Sequence, residues 1–401
     1  MHVVMFGDQH VESLGGAQVS MRLQRRFLER AGHTVTIVAP RMHGRRAAAV
    51  DPAYVDTPSI PLTPDREYAM SWPGRRTDRF VDAALASRPP VDVVHVQADF
   101  WGAFTGHRFA ARHRLPVVHT MHNRVDVGIE ATAPFPRLVL RVLSAWQRRA
   151  LEHVSGLREG GRDGWAYLGR FAAVSDAVTA PSAHFARRLQ DHGVVTVLGE
   201  PVIDVWNGID DDVLDAVLVA GPAVRAPGLP RFVWLGRMSP EKRLLPFLEA
   251  VAESDIDAEV EVIGGGGQEK AARRLVERLR PAASVVYSGR MPYAETLRRI
   301  AAADAVVQTS IGFETQGMTV FEAASLGTPS VVSDPDIAAE LGPGHWPVAE
   351  ATTAALAEAL RTAAADIVAG TAPTPDPSIR ERFRQSSRTA AMVAVYDRAR
   401  G

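Results

Sequence analysis

Residues Thr309–Pro329 read TSIGFETQGMTVFEAASLGTP. The stretch opens at the end of a short apolar strand, Ala305–Val307, and passes through a loop that carries Glu314. A helix is expected from near Gly317 to Leu326, with Gly327 and Pro329 as stop signals. At its start the backbone N–H groups of Gly317, Met318 and Thr319 lack intrahelical partners, which makes an anion site. Glu314 lies just before the helix and Glu322 just inside it. A carboxylate cannot usefully bind phosphate, but it accepts hydrogen bonds from sugar hydroxyls. Amides for an anion, placed between two hydroxyl acceptors, suit a ligand with phosphate in its middle and sugars at both ends: a nucleotide sugar. The competing reading is a solvated loop charge and an ordinary surface helix residue.

Upstream of this stretch the second half of the chain alternates strand and helix. Phe232–Leu235 is a strand, followed by Gly236-Arg237-Met238-Ser239-Pro240-Glu241-Lys242 and a helix to about Ala252. Glu259–Ile263 and Ser284–Tyr287 are strands, with helices Gln268–Leu279 and Tyr293–Ala302. Arg237 and Lys242 put two cations at the carboxyl end of a strand, where Arg grips two phosphate oxygens and Lys adds a mobile charge. Solvated charges on a strand-end turn are the plainer alternative.

The first half begins in the same way. His2–Gly7 and Val35–Ala39 are strands around helix Gln18–Ala31, a βαβ opening that predicts a parallel sheet. The loop before that helix ends in Gly15-Gly16, which either serves a turn or lets backbone approach a ligand. The stretch Ala47–Arg76 reads as irregular, and helix Thr77–Ser87, strand Val91–Val96, helix Trp101–His113 and strand Pro116–Thr120 follow. Five histidines fall between positions 95 and 122, on different elements and without metal-ligand spacing. His95 and His119 are expected to pack at strand ends, whereas His122 lies past a strand's carboxyl end, where open α/β sheets place ligand groups.

Residues 136–155 form an amphipathic helix, with Arg137, Arg141, Ser144, Arg148, Glu152 and Ser155 on one face and Val139, Val142, Leu143, Trp146, Ala150 and Val154 on the other. A Gly- and Arg-rich connector, Gly156–Arg170, follows. The segment is either a plain domain helix with a loose loop or a surface that meets anionic lipid. Ala173–Thr179, Val194–Val197 and Val202–Val205 read as strands, with helix Ser182–Gln190 among them. Residues 211–230 read as a linker, and Ile379–Ala399 is a helix that breaks the alternation.

Composition narrows the classes. The 401 residues suggest about two domains, and a net charge of -1 gives no global argument for nucleic acid. The absence of cysteine excludes disulfides, thiol catalysis and zinc–thiolate sites. Neither Gly15-Gly16 nor Gly264–Gly267 completes a dinucleotide fingerprint, and no Gly-Lys-Ser/Thr phosphate loop, H-E-x-x-H or G-x-S-x-G is present. Without a leader pattern or a bilayer-length apolar run, the expected location is cytoplasmic, with contact to the inner membrane face through 136–170.

Glu314, seven residues, Glu322-Ala323 and the Leu326-Gly327-Thr328-Pro329 ending resemble the hallmark of the large retaining glycosyltransferase family four. Gly15-Gly16-Ala17, Gly32-His33-Thr34-Val35, Ala180-Pro181-Ser182, Asn207-Gly208-Ile209-Asp210 and Gly236–Lys242 resemble further blocks of that family, in order. The resemblance implies an α/β GT-B architecture: two Rossmann-like parallel-sheet domains facing across a cleft, with a C-terminal helix crossing back. Its boundaries here would be 1–210 plus a crossing helix from about 384 to 401, a linker at 211–230, and a donor domain at 231–383. It also implies roles: Arg237 and Lys242 on the donor diphosphate, Glu322 on the ribose, Glu314 and His122 on the transferred sugar. Gly15 and Gly16 would admit the diphosphate beside the amides of Gly317, Met318 and Thr319, and Arg290 would border the base.

The implied reaction is transfer of a hexose with retention, without metal or other cofactor, the nucleotide sugar being a co-substrate. The form ETQGMTVFEA is most similar to members that add glucose from UDP-glucose to diacylglycerol, and GDP-mannose is the donor alternative. A lipid or cell-envelope acceptor and a soluble small-molecule acceptor both remain open. So does a sugar-nucleotide epimerase of the same architecture, whereas a catalytically silent carbohydrate binder fits poorly with the intact residue set. Asp334-Pro335-Asp336-Ile337 departs from the family, where many relatives carry a glycine pair and a Glu.

Overall fold

The structure, a computed structural model, describes residues 1–13, 15–43, 51–132, 134–157, 160–221 and 228–401. The chain divides into two compact units, Met1–Asn207 with Arg388–Gly401, and Gly208–Ser387.

The strands of the first unit are β1 (His2–Gly7), β2 (Thr34–Pro40), β3 (Tyr54–Thr57), the short hairpin β4 (Ile60–Pro61) and β5 (Ala69–Met70), β6 (Val93–Gln97), β7 (Val117–Thr120), β8 (Ala177–Ala180) and β9 (Ile203–Asp204). Seven of them form one parallel sheet in the order β3-β2-β1-β6-β7-β8-β9. The central strands are near-continuous apolar runs because helices cover both faces. The second unit has β10 (Arg231–Arg237), β11 (Glu259–Gly265), β12 (Ser284–Gly289), β13 (Ala305–Gln308), β14 (Ser330–Val332) and β15 (His345–Pro347), all parallel in the order β12-β11-β10-β13-β14-β15. Each sheet therefore reverses direction beside its first strand, between β1 and β6 and between β10 and β13. Beyond the carboxyl ends at such a switch point the loops diverge and leave room for a ligand.

The last helix, Gln385–Arg400, returns to the first unit. Tyr396, fully buried, donates its hydroxyl to His95 Nδ1 at 2.7 Å and accepts from Gln24 Nε2 at 3.3 Å. That explains why the segment breaks the sequence alternation: its partner is the opening sheet.

Besides the strands β3, β4 and β5, which fall in the stretch 47–76 expected to be irregular, four sequence expectations change. Asp211–Ala220, expected within a linker, is a helix capped by Asp210 Oδ1 on the Asp212 amide at 3.1 Å; residues 222–227 of that linker lie outside the described residues. Val194–Val197 is not a strand; the place beside β8 is taken by Ile203–Asp204, which forms β9. The expected loose connector contains helix Gly164–Ala172, capped by Asp163; residues 158–159 lie outside the described residues.

The fourth change concerns the amphipathic segment, helical over Pro136–Ala150. Ser144, expected on the solvated face, is buried, and Val142, expected on the apolar face, is exposed. The cause is Arg170, which is buried and donates to Gln147 Oε1 at 2.5 Å and Ser144 Oγ at 2.8 Å. A buried guanidinium needs polar partners, so the helix turns part of its polar face inward. Among the described residues no helix is long and apolar enough to cross a membrane.

Candidate functional site

In the second unit the decisive loop lies between β13 and helix Met318–Leu326. Gly317 caps that helix at φ 77°, where a side chain would be strained, and a Cβ there would fall 2.6 Å from Ile337 Cδ1 and push that side chain aside. The helix has no side-chain cap hydrogen bond, and the amides of Met318 and Thr319, in its first turn, have no carbonyl of their own helix to bond. Glu314, half-buried, forms an ion pair with Lys242 and accepts from Ser310 Oγ at 2.9 Å. Lys242 is delivered by the turn after β10, and Thr309 Oγ1 fixes that turn by donating to the Lys242 carbonyl at 2.7 Å. Trp234 Nε1 in turn donates to Thr309 Oγ1 at 2.9 Å, so β10 and β13 are tied together beneath the loop.

Arg237 lies on the same turn, is 66% exposed, and meets Glu241 at 3.2 Å. Arg290 follows β12 and packs over Gly265, where a Cβ would be 3.3 Å from its Nε. The structure thus brings Lys242, Glu314, Ser310 and the helix start together; Arg237 ends β10 and Arg290 follows β12, two strand ends of the same sheet with β11 between them.

Glu322 is buried on the helix and accepts from Tyr293 Oη at 2.7 Å. Burial raises its carboxyl above the ordinary range, and the Tyr293 bond opposes that rise. Burial and the neighbouring Glu322 carboxylate raise the Tyr293 phenol well above its usual range, so it stays a donor at neutral pH. Tyr293 was not singled out in the sequence, since nothing local links it to Glu322. Asp334 was read only as a departure from pattern. Its Oδ2 accepts from the Gly312 amide at 2.7 Å while Oδ1 accepts from Asp336 and Ile337, so one buried carboxylate shapes the Glu314 loop and caps the next helix.

In the first unit His122 follows β7, and its Nε2 meets Gln97 Oε1 at 3.1 Å. Gln97 Nε2 donates to Gln24 Oε1 at 2.6 Å, so its carbonyl oxygen faces His122 and the imidazole carries its proton on Nε2. Desolvation lowers the His122 pKa to about 4, which keeps the ring neutral at pH 7 and leaves Nδ1 as an acceptor. His95 and His119 are both buried, with Nε2 bonded to Thr120 Oγ1 at 2.7 Å and to the Ala98 carbonyl at 2.9 Å. Gly15 caps helix Gly16–Arg30 without a side-chain bond, and a Cβ on Gly16 would meet nothing within 4 Å. The fold's own packing does not demand glycine at 16.

A carboxylate pair that sequence reading passed over lies at the β1 and β6 ends. Asp8 accepts from the amides of Asp99, Phe100 and Gly102 at 2.7, 3.0 and 2.8 Å. Asp99 accepts from Asn123 at 2.6 Å through Oδ2, while its buried Oδ1 has no hydrogen-bond partner among the described residues. Burial first, and Asp8 after it, push the Asp99 carboxyl up to about 7. Because the folded-state value lies above the unfolded one, this group stabilises the fold while protonated and loses that contribution as pH rises through about 7. Asp99→Asn is therefore expected to raise the melting temperature at about pH 8 and change it little at about pH 4. An equal shift at both pH values in scanning calorimetry would refute the assignment.

Comparison with known proteins agrees with the class these two sheets define. The family described as Glycosyltransferase Family 4 matches residues 14–213, and Glycosyl transferases group 1 matches 224–366. The chain is similar to alpha-monoglucosyldiacylglycerol synthase of Streptococcus pneumoniae, 23% identical over 345 residues, covering 82% of this chain and 70% of that one. It is also similar to 2-deoxystreptamine N-acetyl-D-glucosaminyltransferase of Streptomyces fradiae, 28% identical over 247 residues, which span 59% of this chain and 53% of the relative. Among solved structures, HepE of Anabaena in complex with UDP superposes with a TM-score of 0.61 at 15% identity, covering 99% of this chain and 100% of that chain. The protein is a glycosyltransferase of GT-B type. Within that class, the chain belongs to glycosyltransferase family 4.

Proposed function

We propose that this chain transfers a hexose with retention from a nucleotide-diphosphate sugar, UDP-glucose first and GDP-mannose as alternative, to a lipid hydroxyl. The observation that carries the reading is the convergence of Lys242, Glu314 and the uncapped helix start at Gly317, with Glu322 one turn inward. Lys242, Arg237 and the amides of Met318 and Thr319 offset the charge of the departing diphosphate, the work a metal does elsewhere. The anomeric C–O bond to the diphosphate breaks as the acceptor oxygen bonds to the same sugar face, and the acceptor proton passes to a phosphate oxygen. Glu314 accepts from hydroxyls of the transferred sugar, Glu322 from the ribose, and neutral His122 offers Nδ1 to a sugar hydroxyl. Gly15 and Gly16 leave backbone open to the diphosphate, and Arg290 borders the base. The UDP bound in the Anabaena neighbour and the glucolipid made by the pneumococcal relative support this donor and acceptor.

The exposed apolar side chains Phe135, Leu138 and Val142, set among Arg137, Arg141 and Arg148, support contact of 136–170 with an anionic membrane face. A soluble polyhydroxylated acceptor is the second reading, favoured by the likeness to the Streptomyces enzyme.

A thermal-shift panel of UDP, GDP and their sugar conjugates tests the donor. One nucleotide should raise the melting temperature, by about 2.7 kcal/mol of stabilisation at a hundredfold excess over Kd, and Glu322→Ala should abolish the shift. No response to any nucleotide sinks the reading. A second result is expected from Tyr293→Phe. Losing the bond removes what holds the Glu322 carboxyl down, so the acid limb of nucleotide affinity moves to higher pH. If Tyr293 merely blocked the ribose position, the variant would bind nucleotide more tightly at every pH, and titration calorimetry separates the two.

A further inference from the structure

The first unit carries a groove that no step above uses. It is lined by the apolar Pro58, Ile60, Met70 and Trp72 together with Arg75 and Arg76, and has a volume of about 540 Å³. Its wall is built rather than loose: Thr57 and Ser71 hydroxyls bond at 2.6 Å, Leu62 N–H donates to the Tyr68 carbonyl at 2.8 Å, and Thr77 Oγ1 donates to the Trp72 carbonyl at 2.6 Å. Ile60 is 59% exposed and Trp72 62%, far more than large apolar side chains gain from water. Arg75 and Arg76 are exposed and have no ion pair among the described residues. Trp72 meets Trp146 at 5.2 Å between ring centroids, and the half-buried Trp146 follows the exposed Leu138 and Val142 at helical spacing.

We propose that this groove binds an anionic amphiphile, with its alkyl chain on Ile60, Met70 and Trp72 and its phosphate on Arg75 and Arg76. Charge and shape both select this occupant. A free anion would gain nothing from the apolar wall, and an uncharged chain would leave two guanidinium groups unmatched. The groove opens at the carboxyl end of the edge strand β3, and His122 lies past the carboxyl end of β7, four strands away in the same sheet. At roughly 4.8 Å per strand that is about 19 Å, a span for a chain-bearing molecule and not for a small polyol. The inference deepens the lipid-acceptor reading above and rests on it for its role in transfer, though the binding site can be tested alone.

The test titrates the full chain with monomeric dihexanoyl phosphatidic acid, dihexanoyl phosphatidylcholine and inorganic phosphate, following tryptophan fluorescence and heat. Phosphatidic acid should saturate with a blue shift that Trp72→Phe diminishes. Phosphatidylcholine should bind at least about tenfold more weakly, and phosphate alone should not saturate. Arg75→Gln with Arg76→Gln should weaken phosphatidic acid about tenfold, and Ile60→Gln should weaken both lipids alike. Equal binding of the two lipids, unchanged affinity in the double variant, saturation by phosphate alone, or no saturable binding each overturns the proposal. A parallel UDP thermal shift keeps the failures apart: an intact UDP response with no lipid binding removes the groove only, and no UDP response removes the donor reading.

Discussion

Lys242→Ala is expected to lower kcat/KM for sugar transfer by roughly two to three orders of magnitude, the usual cost of removing one preorganised group from developing charge. In the free protein Lys242 is paired with Glu314, which also holds Ser310. The alanine variant removes the Lys242 cation from Glu314 and, on the proposed reading, from the departing diphosphate. The loss should fall mainly on kcat, since the diphosphate gains charge as the glycosidic bond breaks, with a smaller rise in donor KM. Lys242 is half-buried in a surface turn, so the melting temperature of the variant should stay within a few degrees of the parent. Steady-state kinetics with the donor found in the nucleotide panel decides the matter. Activity within threefold of the parent would remove Lys242, and the ion pair with it, from the chemistry.

The second large effect is structural. Gly264→Ala should cost about 4 kcal/mol, a fall of roughly 8–16 °C in melting temperature for a unit of this size. At φ 130° the residue stands where side chains are strained, and a Cβ would lie 1.9 Å from the Gly236 carbonyl oxygen. Gly236 is its register partner across β10 and β11, so neither backbone can yield without parting the ladder. Two residues on, a Cβ at Gly266 would meet the Met238 carbonyl oxygen at 2.6 Å. The glycine run that fails as a dinucleotide fingerprint thus has another purpose: it seats the turn that presents Arg237 and Lys242. Gly267→Ala is the internal control, because nothing lies within 4 Å of a Cβ there and its backbone is unstrained. Differential scanning calorimetry on the pair should show a large fall for one and almost none for the other; equal falls would refute the close-approach account.

These two sites also show what the sequence made legible. The parallel sheets follow from apolar runs separated by helical periodicity, and the Glu314–Glu322 helix start follows from residues adjacent in the chain. Each depends on local pattern. Tyr293, Asp334 and Gln97 were missed because each reaches a partner on another segment, far along the chain: Tyr293 to Glu322, Asp334 to Gly312, Gln97 to His122. Nothing in their own neighbourhoods announces a partner. The misplaced Ser144 and Val142 have a different cause. A helical wheel assumes that apolar side chains go inward, and the buried Arg170 guanidinium reverses that locally. Val194–Val197 has strand propensity, but the place beside β8 is taken by β9, and pairing is a property of the sheet, not of the segment.

The return of Arg388–Gly401 to the opening sheet makes the first unit discontinuous in time as well as in sequence. During synthesis the early strands emerge with His95 uncovered, and Tyr396 arrives only after the whole of Gly208–Ser387 has been made. At ribosomal speeds that delay is on the order of ten seconds or more. The second unit can close its own sheet in that interval, while the first waits with an unfilled apolar seam. Chaperone dependence of the nascent chain should therefore be concentrated on the part made first, and it should end when the last helix docks.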